Sequence, residues 1–148
     1  MNVRMLAGAT LAIVGLIATG CGGSSSSSTT STALTKSEFL AKGNAICAKG
    51  NKTISQAAKQ TFGNSKPSAS QVNQFVTQTV IPSIQDEING IKALPAPSGD
   101  EAKVSAIAAG AQGALDKAKA NPKLLTERGG ADPFAAVNKL ANAYGLTK

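Results

Sequence analysis

The sequence predicts an all-α fold, an antiparallel bundle of about four helices. Four segments carry apolar residues at three- and four-residue intervals, the spacing that places side chains on one face of a helix. Capping residues precede these segments, and glycine or proline follows them. No segment alternates apolar and polar residues as a half-buried strand does. Because aromatic residues are 3% of the chain, we expect a core of alanine, valine, isoleucine and leucine.

The first 20 residues have the features of an export signal. Residues 5–20 form an apolar run of 16 residues after a single arginine, shorter than the roughly 20 that span a bilayer. Ala18, Thr19 and Gly20 then present little bulk to a signal peptidase, and Cys21 follows. This order resembles the lipobox of bacterial lipoproteins, in which the cysteine thiol receives a diacylglyceryl group. Ala18 departs from it, since leucine, valine or isoleucine is usual there. We expect lipidation of Cys21; ordinary secretion and an uncleaved anchor are the alternatives.

The rest of the chain divides into a tether and one domain. Residues 21–33 hold the expected lipidated cysteine and a Gly/Ser/Thr linker with too little apolar surface to fold. About 12 such residues reach at most ~40 Å. Residues 34–148 are enough for a single domain. We therefore expect a lipid-anchored protein at the extracytoplasmic face of the cell membrane.

The first predicted helix has a basic side. Thr35 and Glu38 form a capping box at its start, and Gly63 follows its end. Four lysines cluster opposite its apolar face: Lys42, Lys49, Lys52 and Lys59. A solvated surface is the plain interpretation of this lysine face. The sharper one is contact with anionic lipid or acidic wall polymer, each lysine contributing ~1 kcal/mol near a charged membrane.

The second predicted helix contains a change of phase. It starts at Ser68, with Gln71 as the capping-box partner. Its two apolar stripes are offset by roughly 110° on an ideal helix, and Pro82 lies where they meet. We expect the helix to be kinked or broken at Pro82. A pocket at this break would favour ligand binding, and its predicted lining is Phe75, Val76, Ile84 and Leu115.

Two further helices complete the predicted bundle. Ser98 and Glu101 suggest a capping box for the third, which runs to about Asn121. The fourth opens at Asp132 and closes at Gly145. Its predicted apolar face comprises Phe134, Val137, Leu140, Ala141 and Tyr144.

Three segments of the mature chain together resemble a known family. They are LTKSEFLAKGNAICAKGN, VIPSIQDEINGIKALPAPSGDEAKV and NPKLL…DPFAAVNKLANAYGL. In this order they resemble a family of small, uncharacterised actinobacterial lipoproteins, over nearly all of residues 34–146. The resemblance implies a lipid-anchored, helical, extracytoplasmic protein and no activity. Many members of that family have a second cysteine just after the tyrosine-glycine-leucine motif, where this sequence has Thr147 and Lys148.

Cys47 is the thiol that remains if Cys21 is lipidated. Its position near the apolar face of the first helix favours a buried, inert thiol that packs as a small hydrophobic group. A disulfide to another chain is the main alternative, since an odd cysteine outside the cytoplasm invites one. A catalytic or metal-binding thiol is not expected, because the chain has no histidine to activate it.

Composition and motifs point away from catalysis. The chain has no histidine, and it contains no P-loop, dinucleotide fingerprint, zinc motif or nucleophile elbow. We therefore expect no catalytic residue, metal or cofactor. The net charge of +7 comes without interleaved aromatics, so nucleic acid is not an expected partner. The predicted function is a non-enzymatic binding or interaction module at the envelope. The alternative is a spacer that contacts anionic lipid or wall polymer. The oligomeric state stays open.

We predict that labelled palmitate enters the wild-type protein expressed in a bacterium, because the lipobox presents Cys21 for acylation. Cys21→Ser should remove the label and release the protein from membranes, whereas Cys47→Ser should keep both. Autoradiography of membrane and soluble fractions measures this. The lipoprotein interpretation fails if no palmitate is incorporated and Cys21→Ser changes neither processing nor membrane retention.

Overall fold

The computed structural model describes residues 33–127 and 131–147, and these form helices with no strand among them. The α-helices are α1 (Lys36–Phe62), α2 (Ala69–Phe75), α3 (Ile81–Ala93), α4 (Glu101–Ala120) and α5 (Ala135–Tyr144). A π-helical segment (Val76–Val80) joins α2 to α3, and a 3₁₀ turn (Pro122–Leu125) follows α4. The predicted all-helical bundle is confirmed. The predicted signal peptide, Cys21 and all of the linker except Ala33 lie outside the described residues.

Helix α1 begins and ends at the residues that the sequence indicates. The Thr35 hydroxyl accepts the Glu38 amide at 3.2 Å, and the Glu38 carboxylate accepts the Thr35 amide at 2.9 Å. The Thr35 hydroxyl also donates to the Glu38 carboxylate at 2.7 Å, and this bond together with that from the Thr35 amide lowers the pKa of Glu38. At the other end, Gly63 has a φ of 55° and donates its N–H to the Lys59 carbonyl. Positive φ there favours glycine, which ends the helix.

The segment from α2 to α3 is one continuous helical path with a π-helical turn inside it. The residues on both sides of that turn keep right-handed helical dihedrals, so the chain does not break at Pro82. The Ile81 N–H bonds to the Val76 carbonyl, five residues back. This turn holds about one extra residue, which rotates the following helix by roughly 100° and brings the two apolar stripes into register. The regular α-helix is therefore interrupted near Pro82, by the π-helical turn just before the proline and not by a break at the proline itself.

Helix α4 starts differently from the prediction. Its N-cap is Asp100, not Ser98, and no side chain caps it. The Asp100 carboxylate instead accepts the Lys103 ammonium at 2.7 Å and the Tyr144 hydroxyl at 3.1 Å. Burial and the Asp100 hydrogen bond raise the pKa of Tyr144 to about 12, while Lys103 lowers the pKa of Asp100. The Asp100 carboxylate thus ties the start of α4 to the end of α5.

Helix α5 is short, and hydrogen bonds define both of its ends. Asp132 accepts the Phe134 amide at 2.9 Å, and the helix proper begins at Ala135. Gly145 has a φ of 106°, and the N–H of the next residue, Leu146, bonds back to the Ala141 carbonyl at 2.9 Å. This is the Schellman arrangement, which turns Leu146 toward the bundle.

The prediction that Leu140 belongs to the buried face of α5 is wrong. Leu140 is 53% exposed, although its spacing put it with the apolar residues. Val137 and Tyr144, from the same predicted face, are 6% and 7% exposed. The reason is that α5 packs mainly on α4, so only a narrow stripe of it is covered.

The core has two packed clusters. One joins the ends of α1, α3, α4 and α5; Phe39 is fully buried in it and stacks edge-on against Tyr144, with ring centroids 6.1 Å apart. The other surrounds Leu115, also fully buried, against Val76, Ile81 and Ile88. The main helix contacts run from α1 to α3, from α3 to α4 and from α4 to α5. Direct contact between α1 and α5 is slight within the described residues.

Glycines let α1 approach α3 and the C-terminal residues closely. A Cβ at Gly43 would lie 2.5 Å from Leu146 Cδ2 and 3.2 Å from Ile91 Cδ1. On α3, a Cβ at Gly90 would lie 3.2 Å from Ile46. The stability that glycine costs within a helix is therefore offset by tight packing between helices.

Within residues 33–127 and 131–147, every helix is too short or too polar to span a lipid bilayer.

We predict that the same substitution has opposite effects at two helical glycines. Gly113→Ala should raise the free energy of unfolding by up to ~1 kcal/mol, because its Cβ enters open space and alanine favours the helix. Gly43→Ala should lower it by about 1 kcal/mol, because Leu146 must move and overpacking outweighs the helical gain. Urea denaturation of both variants measures the difference. Equal stabilisation by both would contradict the close packing at Gly43.

Candidate binding cavity

A cavity of about 360 Å³ opens between α1, α3, α4 and α5. Six of its lining residues are 8% exposed or less and form an apolar floor. These are Ile88, Ile91, Ile107, Ala108, Val137 and Leu146. Residues from four helices and from the C-terminal segment therefore line one apolar space that is partly open to solvent.

The floor depends on the isoleucine stripe of α3. Ile84, Ile88 and Ile91 repeat at four and three residues, so they lie on one side of the helix. The π-helical segment sets the direction of that side, because the extra residue rotates α3 inward relative to α2. The preceding turn of the chain thus determines that this stripe faces the cavity and not solvent.

The space exists because the facing residues are small and α5 is short. Ala108, Ala111 and Ala141 line the cavity where larger side chains would fill it. By the rise per residue, the 10 residues of α5 extend about 15 Å, whereas the 27 residues of α1 extend about 40 Å. Helix α5 therefore cannot cover the inner face of α1 along its length.

Polar side chains surround the apolar floor. Asn51 comes from α1, and Asn138 and Asn142 come from α5; the C-terminal Thr147 also lines the space. Two carboxylates complete the rim, Glu87 on α3 and Asp132 before α5. Asn51, Asn142, Asp132 and Thr147 are exposed, and Asn138 and Glu87 are half-buried. The cavity therefore has an apolar interior and a polar mouth.

The C-terminal residues are held over one side of the cavity by Asn44. Its Nδ2 donates to the Gly145 carbonyl at 3.3 Å, and its Oδ1 accepts the Thr147 N–H at 2.8 Å. Leu146 between them is buried and lines the floor. These two hydrogen bonds join α1 to the segment that follows α5.

The surface also carries shallower grooves, which differ in their lining. One of about 700 Å³ runs along α4 beside the end of α3, and most of its lining residues are exposed, including Glu101, Ser105 and Asp116. A second, of about 340 Å³, lies beside the exposed Leu140. Each has two buried apolar residues in its lining against six in the cavity, so the cavity is the better candidate for a ligand.

The cavity is not where the sequence suggested a pocket. Of the four residues expected to line one at Pro82, only Ile84 does. Val76 and Leu115 are 5% and 0% exposed, pack in the cluster around Leu115 and do not line the cavity. The residue Phe75 packs edge-on against Phe62 of α1, with ring centroids 5.1 Å apart. The π-helical turn fills the expected gap, because it brings both stripes into packing contact.

Cys47 lies in the wall of the cavity. It is half-buried, whereas a buried thiol was expected. Its neighbours in the wall include Asn51 and Ile54, one and two turns along the same helix.

The lysine face is exposed along α1, as expected. Lys42, Lys49, Lys52 and Lys59 all point to solvent, and none lines the cavity. Lys49 also borders a shallow groove between α1 and α3. The two candidate sites are therefore separate surfaces of the same helix.

Comparisons with protein-family models, with curated proteins and with solved structures find no match to this chain.

Proposed function

We propose that this protein is a non-enzymatic binding module, lipid-anchored at the extracytoplasmic face of the cell membrane, that holds a small apolar ligand between its helices. The cavity of about 360 Å³ with its buried apolar floor carries this proposal. Small-molecule sites are typically ~300–1,000 Å³, mostly apolar, with a few polar groups that orient the ligand. The cavity has this size and this division of surface.

The size of the cavity limits the ligand. An apolar cavity of ~150 Å³ is large enough for benzene. A space of about 360 Å³ would therefore accept a molecule roughly twice that size, such as fused rings or one alkyl chain of moderate length. Burial of such a ligand is favourable by ~25 cal/mol for each Å² of apolar surface removed from water.

The residues of the mouth suit binding better than catalysis. Three of them are asparagines, whose side-chain amides form hydrogen bonds but do not exchange protons near neutral pH. The thiol of Cys47 has no histidine to activate it, because the chain contains none. These features favour a protein that carries or senses a ligand unchanged.

The lipid anchor proposed at Cys21 would determine which ligands the cavity encounters. The 12 residues that separate Cys21 from Leu34 can extend to at most ~40 Å. The domain would then stay close to the bilayer surface, where apolar molecules are concentrated. The resemblance to actinobacterial lipoproteins supports the same location.

We predict that filling the cavity abolishes ligand binding without unfolding the protein. Ala141→Leu places a larger side chain in the cavity wall and should lower the affinity for N-phenyl-1-naphthylamine, an uncharged fluorescent probe, at least tenfold. The matched control is Ala136→Leu, on the exposed side of the same helix. Fluorescence titration measures both, without background from tryptophan, which the chain lacks. No binding by the wild type, or equal binding by both variants, would contradict the proposal.

A second candidate function rests on the lysine face. The four exposed lysines lie on one side of α1, and the proposed tether would bring that side within reach of the membrane. In this alternative, the protein is a spacer that contacts anionic lipid or wall polymer through these side chains.

If the alternative holds, the triple variant Lys42→Glu, Lys49→Glu and Lys59→Glu should bind anionic vesicles on the order of a hundredfold more weakly at low salt. The control reverses three exposed lysines elsewhere, Lys92, Lys123 and Lys139, and gives the same net charge. Sedimentation with vesicles measures the affinity. Equal loss in both triple variants would show that only net charge matters, and unchanged binding would remove the alternative.

A further inference from the structure

Three asparagines, from two of the helices that form the cavity, line its polar rim. Asn51 lies on α1, while Asn138 and Asn142 lie one turn apart on the same side of α5. In the described residues, the side-chain amides of these three make no hydrogen bond to the protein. Asn44, one turn beyond the cavity on α1, differs, because both of its amide atoms hold the C-terminal segment.

These amides can recognise an uncharged polar group. Each offers two N–H donors and a carbonyl acceptor and carries no net charge. A hydroxyl both donates and accepts, so it can bond to either end of an amide, and an ester or amide carbonyl can accept from the NH₂. A charged group gains less from neutral partners, since it must give up stronger hydration to enter the mouth.

The two carboxylates at the rim do not change this chemistry. Asp132 already accepts the Phe134 amide at 2.9 Å. Glu87 packs against Gly50 of α1 and has an interaction partner in the protein. Both carboxylates repel an anionic head group. Each already has a partner in the protein, so neither serves only to bind a cationic head group. The amides are therefore the groups best placed to select the ligand.

We propose that the ligand is a single-chain amphiphile with an uncharged head group of hydroxyls or an ester, bound with its alkyl chain on the apolar floor and its head on Asn51, Asn138 and Asn142. This deepens the proposed function and rests on it. The chain lies along Ile88 and Ile91, and each buried methylene strengthens binding by about fourfold until the floor is filled. The hydroxyls or ester oxygens at the mouth complete the hydrogen bonds of the three amides.

The test compares three ten-carbon probes that differ only in head group: monodecanoylglycerol, decanoate and decylammonium. The protein is the full chain with Cys21→Ser, so Cys47 is its single cysteine. Calorimetry below the micelle concentrations measures affinity, and slower alkylation of Cys47 by a maleimide reports occupancy of the cavity. We expect the glycerol ester to bind at least tenfold more tightly than either charged probe.

Asparagine variants then test whether these side chains cause the preference for the uncharged head group. The double variant Asn138→Ala and Asn142→Ala should lower the affinity for the glycerol ester at least tenfold relative to that for N-phenyl-1-naphthylamine. Asn138→Asp, of the same size, should shift the preference toward decylammonium. The control Asn73→Ala changes an exposed asparagine of α2 that does not line the cavity, and should leave all three affinities unchanged.

The outcomes separate this inference from the proposed function. Equal affinities for the three heads, preference for a charged head, or no change in the double variant would overturn the head-group assignment. The cavity would still be a binding site in that case, provided that the naphthylamine binds. If the naphthylamine and all ten-carbon probes fail to bind, both proposals are wrong.

Discussion

The π-helical segment Val76–Val80 is the constraint on which the bundle depends. Without it, a continuous α-helix would point one of its two apolar stripes away from the core, since the stripes are offset by roughly 110°. The extra residue in that turn buries both. It places Val76 against the fully buried Leu115, and it directs Ile88 and Ile91 to the centre of the bundle. Pro82 follows the wide turn, where its missing N–H and its ring are tolerated.

Small residues then determine which interfaces close and which stay open. Gly43 and Gly90 bring α1 and α3 into tight contact, so the bundle is firm along that seam. Across the bundle, Ala141 and the short α5 leave a space that no side chain of residues 33–127 and 131–147 fills. Packing between the helices is therefore uneven. Helices α1 and α3 are in close contact, whereas a cavity of about 360 Å³ lies beside α5. This arrangement supports the binding function proposed above, because the apolar floor is already formed without a ligand.

Local signals could be read from the sequence, and relations between helices could not. The capping box at Thr35 and the glycine end of α5 were predictable, because each depends on residues within one turn. The phase change near Pro82 was visible too, but a kink and a π-helical turn explain the same offset. The start of α4 was missed because the Asp100 carboxylate bonds to Tyr144, 44 residues away. The cavity was misplaced for the same reason: it depends on the relative lengths of α1 and α5 and on Leu146, which lies outside any helix.

Xenon binding followed by methyl NMR tests most directly whether the cavity accepts an apolar ligand. Xenon enters apolar cavities without specific polar contacts, and the methyl groups that it touches shift in a saturable way. The account predicts such shifts for Ile88, Ile91 and Val137, which line the cavity, and none for Leu115, which is fully buried and does not line it. Ala141→Leu should reduce them. Shifts that do not saturate, or that are as large at Leu115 as at Ile91, would contradict the account.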